Sequence, residues 1–169
     1  MPSTLEKWLL SRRSMLFATV SGLVGVFRAP KKVFAASDAS DSQWDLSDQQ
    51  WKKRLSSDSY QVLRKEGTEP PFTSDLNSEK RSGTYHCAGC DLSLFSSQAK
   101  FDSGTGWPSF WQPLPAAIDT KVDFKLIVPR TEYHCSRCGG HQGHVFNDGP
   151  RPTGKRYCNN GVALRFQAA

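Results

Sequence analysis

The chain has 169 residues, enough for one domain with length to spare, and only 37% of them are hydrophobic, so its core would gain from a metal or another staple. The net charge of +6 suggests a nucleic-acid partner until the charges are located: residues 1–36 carry six basic residues against Glu6 alone, while residues 37–169 carry 16 basic and 15 acidic residues. The basicity belongs to the first stretch, which excludes nucleic-acid binding as a leading function of the body.

Residues 1–36 read as a targeting leader. Arg12-Arg13 stands just before the weakly apolar run Phe17 to Phe27, which is shorter than the roughly 20 residues a bilayer span takes. Arg28, Lys31 and Lys32 follow, and Val33-Phe34-Ala35-Ala36 offers small residues for cleavage. The pattern is similar to a bacterial twin-arginine export signal, a route to the periplasm. An organellar (plastid) transit peptide and a plain basic tail on a cytoplasmic protein are the alternatives. Residues 37–43 have the composition of a solvated linker, and residues 44–169 form the domain.

Ser47 and Gln50 have capping-box spacing and open a short helix to about Leu55, with Trp51 and Leu55 on one face. Ser57-Asp58 caps a second helix, Asp58 to Lys65, with Gly67 as the residue that ends it. From Tyr85 onward the signal is short β-prone runs between Gly, Pro and Asp: 84–86, 121–129, 131–134, 143–146 and 161–166. In the second run Val122, Phe124, Leu126 and Val128 alternate with Asp123 and Lys125, which predicts the apolar set facing inward. The absence of βαβ spacing predicts antiparallel sheets.

Tyr85-His86-Cys87-Ala88-Gly89-Cys90 and Tyr133-His134-Cys135-Ser136-Arg137-Cys138 repeat one pattern. Two such pairs offer four sulfurs to one tetrahedral Zn²⁺, a closed site whose metal is structural. Local disulfides or redox dithiols are the competing reading. Cys158 stands outside both pairs, downstream of His141 and His144, and a lone thiol near imidazoles is the kit for a nucleophilic cysteine. Arg156 and the imidazoles are expected to lower its pKa. Residues 101–111 hold Trp107, Phe110 and Trp111 around Gly104 and Gly106, either as a corner of the core or as an apolar wall for a ligand.

These motifs, with Gly67-Thr68-Glu69-Pro70-Pro71-Phe72 and Arg156-Tyr157-Cys158, make the chain from Trp44 to Phe166 resemble the methionine-R-sulfoxide reductases, the B type of peptide methionine sulfoxide reductase. The resemblance implies a mainly β fold of two small antiparallel sheets with short N-terminal helices and one structural zinc on Cys87, Cys90, Cys135 and Cys138. It implies Cys158 as nucleophile, His141 and His144 beside the sulfoxide oxygen, and Arg156 and Asn160 tuning the nucleophile. Trp107, with Phe110, would face the substrate's S-methyl group. The substrate would be oxidised methionine, free or in proteins and peptides, handled by a monomer. Thr105 occupies the position where many members carry a resolving cysteine, which implies a one-cysteine enzyme. Its Cys158 sulfenic acid would be reduced by an external thiol: thioredoxin, glutaredoxin with glutathione, or an exported thiol carrier. Asn159 stands where the family usually has an apolar residue. Two other classes stay open on residues alone: a zinc-ribbon interaction module with an inert Cys158, and a disulfide oxidoreductase using a Cys-x-x-Cys pair.

Overall fold

The computed structural model describes residues 42–124 and 129–169. The leader, most of the linker, and Leu126 and Val128 of the expected strand therefore lie outside the described residues; the linker's last two residues begin a 3-10 turn, Ser42–Trp44. Helix α1 (Asp48–Arg54) starts as its capping box dictates: the Ser47 side chain accepts from Gln50 N–H, and the Gln50 side chain accepts from Ser47 N–H at 2.8 Å. Helix α2 (Ser57–Lys65) is capped one residue earlier than expected, by Ser56 accepting from Ser59 N–H at 3.1 Å. It is also Glu66, at φ 54, and not Gly67, that takes the left-handed conformation at its end.

Among the described residues nine strands follow, in two antiparallel sheets. Strands β1 (Gly83–Cys87), β2 (Ser93–Ser96) and β9 (Leu164–Ala168) form the smaller, in the order β2-β1-β9. Strands β3 (Lys100–Phe101), β4 (Ser109–Phe110), β5 (Ile118–Asp123), β6 (Arg130–Cys135), β7 (His141–Phe146) and β8 (Arg156–Asn159) form the larger, in the order β3-β4-β8-β7-β6-β5. The sheets meet through aromatic rings. Phe95 stacks on Phe110 at 4.2 Å, Tyr85 meets Phe110 edge-on at 4.9 Å, and Phe95 meets Tyr133 edge-on at 6.1 Å. Phe110 is fully buried here, so the structure places it in the core.

Two expected patterns are corrected. Of the apolar set, Val122 on β5 and Phe124 just after it face out, 57% and 74% exposed, while Asp123 is buried. The reason is polar, because Asp123 is the acceptor for Arg130 and His144 on the inner side. Residues 161–163 form a 3-10 turn, and the strand begins at Leu164.

The helices brace the two Cys-x-x-Cys turns. Arg54 Nε donates to Gly89 O at 2.8 Å in the first turn, and Arg64 Nη1 donates to Cys138 O at 3.0 Å in the second. Trp51 is buried beneath the Arg64 guanidinium, 4.7 Å from its carbon to the ring centre.

Glu69, in the loop after α2, locks three segments together. Its carboxylate accepts from the N–H groups of Gly161 and Val162 at 2.5 and 2.9 Å, its N–H donates to Asn160 Oδ1 at 3.0 Å, and its carbonyl accepts from Trp107 Nε1 at 3.1 Å. Removing a buried acceptor strands its donors without water, at about 1–3 kcal/mol. Glu69→Ala is therefore expected to lower the urea unfolding free energy by about that amount, read as a shifted midpoint at unchanged slope.

Candidate active site

The repeated six-residue motif folds twice into the same turn. Cys87 N–H donates to Leu92 O and Asp91 N–H to Cys87 O; Cys135 N–H donates to Gly140 O and Gly139 N–H to Cys135 O. Each turn closes on a left-handed residue after its second cysteine, Asp91 at φ 65 and Gly139 at φ 66. The turns face each other, with Cys87 Sγ 3.7 Å from Cys138 Sγ and Cys90 Sγ 3.4 Å from Cys135 Sγ. All four sulfurs are buried, lie within 4.8 Å of one another, and none is in a disulfide. A tetrahedron with metal–sulfur bonds of about 2.3 Å needs sulfurs roughly 3.8 Å apart, so the donor set fits one Zn²⁺. The four cysteines form a structural zinc site, with every position filled by protein.

The larger sheet carries the rest. Its strand register lines up one row of side chains: Lys121, Glu132, His144, Cys158, Ser109 and Phe101 are successive cross-strand partners on β5, β6, β7, β8, β4 and β3. Cross-strand partners share a face, so His144 and Cys158 look the same way. His141 joins them for a particular reason. Residues three apart in a regular strand point to opposite faces. The register between β6 and β7 shifts at Tyr133/His134, where an extra β7 residue is inserted. The two imidazoles consequently meet at 5.5 Å between ring centres. They stand on one bulged strand, which begins two residues before the β-prone run 143–146.

A cavity of about 120 Å³ opens over this row, lined by Trp107, Arg130, His144, Phe146 and the half-buried Cys158 among others. Asp123 Oδ2 accepts from His144 Nε2 at 2.8 Å and from Arg130 Nη2 at 2.7 Å. A carboxylate on Nε2 keeps the neutral ring's proton there and leaves Nδ1 as the basic nitrogen. His141 sits deeper. Its Nδ1 lies 2.9 Å from Glu132 Oε1 without hydrogen-bond alignment, and burial pushes its pKa down. Lys121 Nζ is 3.3 Å from the other Glu132 oxygen and offsets that buried charge.

Burial also governs Cys158. It pushes the Cys158 thiol above its ordinary pKa, against the pull of the Arg156 charge and of hydrogen bonding with Thr105 and Arg156. The sequence reading expected the opposite direction. The difference arises because burial outweighs the charge of Arg156; Arg156 itself is held by Asp148, which Nε and Nη2 grip at 2.9 and 2.8 Å, and its guanidinium stacks over Phe146 at 4.4 Å. Asn160 Nδ2 donates to Gln142 O at 2.9 Å, which holds the chain after Cys158 against the bulge.

Of the residues singled out from sequence, Cys158, His144, Asn160 and Trp107 line the cavity; His141 and Arg156 stand behind it, and Phe110 is in the core. Glu69, Asp123, Arg130 and Asp148 were not singled out as site residues. Glu69 left a signal within the Gly67–Phe72 motif, and Asp148 one as an acid near Arg156 after the His motif.

Residues 55–168 match the SelR domain family. The chain is similar to peptide methionine sulfoxide reductase MsrB of Pseudomonas putida (strain W619), 54% identical over 125 residues covering 73% of this chain and 93% of that protein. It is similar to MsrB of Leptospira interrogans, 53% identical over 122 residues covering 72% and 93%. It is 51% identical over 123 residues to peptide methionine sulfoxide reductase B1, chloroplastic, of Oryza sativa subsp. japonica, covering 72% of this chain. The chain spans 58% of that rice protein's length and 61% of its Arabidopsis thaliana counterpart's.

A buried, mostly neutral thiol makes a direct prediction. Iodoacetamide alkylation of Cys158 in the zinc-loaded protein, followed by mass spectrometry, should rise with pH through a midpoint above the ordinary thiol value of about 8.5. Arg156→Met removes a pull toward the thiolate and should move that midpoint further up.

Proposed function

Because the chain belongs to the SelR domain family, we propose that it reduces methionine sulfoxide, of the R epimer, free or in proteins, through a Cys158 sulfenic acid regenerated by an external thiol. The observation that carries this reading is the row itself. A half-buried thiol and an imidazole are cross-strand partners beneath an indole, in a cavity large enough for a small group such as a methyl sulfoxide.

The sulfoxide sulfur is a poor electrophile until its oxygen takes a proton. The thiol must lose one proton and the oxygen must gain one, so the step is balanced within the site: Cys158–SH and methyl sulfoxide give Cys158–S–OH and methyl sulfide. The sulfur–oxygen bond of the substrate breaks, sulfur in the substrate is reduced, and Cys158 sulfur is oxidised. His144 is suited to move the proton, since Asp123 holds its Nε2 and leaves Nδ1 to exchange one. Arg156 favours the developing thiolate. Trp107, anchored by Glu69, holds the methyl group against the row. A fixed wall on one side and a fixed proton donor on the other support selection of one handedness, and the family resemblance supports the R epimer.

Thr105 supports the one-cysteine reading. It lies within hydrogen-bonding reach of Cys158, and the other four cysteines are the zinc ligands. A second thiol therefore comes from outside, from thioredoxin, glutaredoxin with glutathione, or an exported thiol carrier. The leader supports export by the twin-arginine route, and the two plastid-named relatives support a plastid as the other destination. Among the described residues no helix is long and apolar enough to cross a membrane.

Turnover of the two methionine sulfoxide epimers tests the reading. The R epimer should be reduced and the S epimer left; reduction of the S epimer alone would overturn the assignment. Cys158→Ser should abolish turnover while zinc content and circular dichroism stay native, whereas an interaction module would show no sulfoxide turnover in either protein. After a single turnover without reductant, dimedone should label Cys158, and no intramolecular disulfide should form. In Thr105→Cys the same experiment should give a disulfide between the introduced thiol and Cys158.

A further inference from the structure

The zinc cluster and the nucleophile lie on different elements, and a line of buried polar groups joins them. Gln142 is the side chain on the β7 bulge, fully buried. Its Nε2 donates to Cys87 Sγ at 3.4 Å, and its Oε1 accepts from Asn159 Nδ2 at 3.4 Å. Asn159 Nδ2 also donates to Asn160 O at 2.8 Å, and Asn159 Oδ1 accepts from Tyr133 Oη at 2.7 Å. Asn159 and Tyr133 are themselves fully buried. Gly143 lies between them in the register, and a Cβ there would fall 1.9 Å from Cys158 O, so the Tyr133–Asn159 bond crosses the strand at its one side-chain-free position.

Such a network is costly where half satisfied and specific where complete. Apolar residues would fill this space without that risk, so the polar choice calls for a role. We propose that Gln142, Asn159 and Tyr133 are positioning residues that couple the zinc cluster to the nucleophile strand. At one end the Gln142 N–H group supports the Cys87 thiolate and slows loss of zinc. At the other, Asn159 holds the Asn160 carbonyl through its side chain and the Pro108 carbonyl through its own N–H, which sets the strand that carries Cys158.

The metal end is tested without reference to activity. Zinc-loaded Gln142→Met keeps the length of the side chain and loses its N–H. Its transfer of zinc to the chromophoric chelator 4-(2-pyridylazo)resorcinol should be about tenfold faster than wild type, the scale of losing a hydrogen bond to a metal ligand. An unchanged rate with native circular dichroism would overturn this half.

The nucleophile end rests on the proposed reductase activity. Asn159→Val should lower kcat for methionine-R-sulfoxide about tenfold with KM unchanged, the mark of a misplaced reacting group. Tyr133→Phe, which deletes a single hydroxyl, should lower kcat in the same sense and serves if Asn159→Val does not fold. Wild-type kcat in a folded variant, or a change in KM alone, would overturn it. If the wild-type protein shows no turnover, the functional reading fails while the zinc-release result still judges the bridge. The double variant Gln142→Met/Asn159→Val supplies a further check. Coupled residues predict a kcat loss well short of the product of the single losses; a simple product would overturn the coupling.

Discussion

Four sulfurs hold together parts of the chain that nothing local would bring near. Cys87 and Cys90 cap the turn between β1 and β2 of the small sheet, and Cys135 and Cys138 cap the turn between β6 and β7 of the large one. The bulge that turns His141 toward His144 begins three residues after Cys138. Metal coordination therefore acts at the root of the strand that presents the imidazoles, and α1 and α2 fasten the same two turns from outside through Arg54 and Arg64. With 37% hydrophobic residues, the domain depends on this staple more than a larger core would.

The site is an answer to a conflict between burial and charge. The burial that encloses Cys158 in its cavity also disfavours its charged form. The chain resolves the conflict with carboxylates set one layer back. Asp123 orders His144 and Arg130, Asp148 orders Arg156, and Glu132 stands behind His141 with Lys121 to balance it. None of these acids lines the cavity, so each acts by fixing a cation or an imidazole in place.

Much of this was legible because the signals are local. The Ser47–Gln50 capping box, the doubled Tyr-His-Cys-x-x-Cys pattern and the solitary Cys158 need no knowledge of distant contacts. The failures are all long-range. Val122 and Phe124 alternate as a buried face should, yet they lie outside because Asp123 is drawn in by Arg130 and His144 from other strands. Strand β8 has no alternation to reveal it: Arg156, Tyr157, Cys158 and Asn159 are each held by a different neighbour. Phe110 belongs by sequence to the Trp107 loop, but pairing with β8 and stacking on Phe95 carry it into the core. The direction of the Cys158 shift depends on how deeply the strands bury the thiol, which only the fold reveals. Asn159 is marked in the sequence as a departure, and its partners Gln142 and Tyr133 appear only when β6, β7 and β8 lie side by side.

The strand order also separates the two centres along the chain. All four metal ligands occur by residue 138, whereas β8, which joins β4 to β7 inside the large sheet, and β9, which pairs with β1, come after residue 155. A chain ending before residue 155 would hold every ligand of the cluster, yet it would lack Cys158 and leave β1, β4 and β7 each without one neighbour.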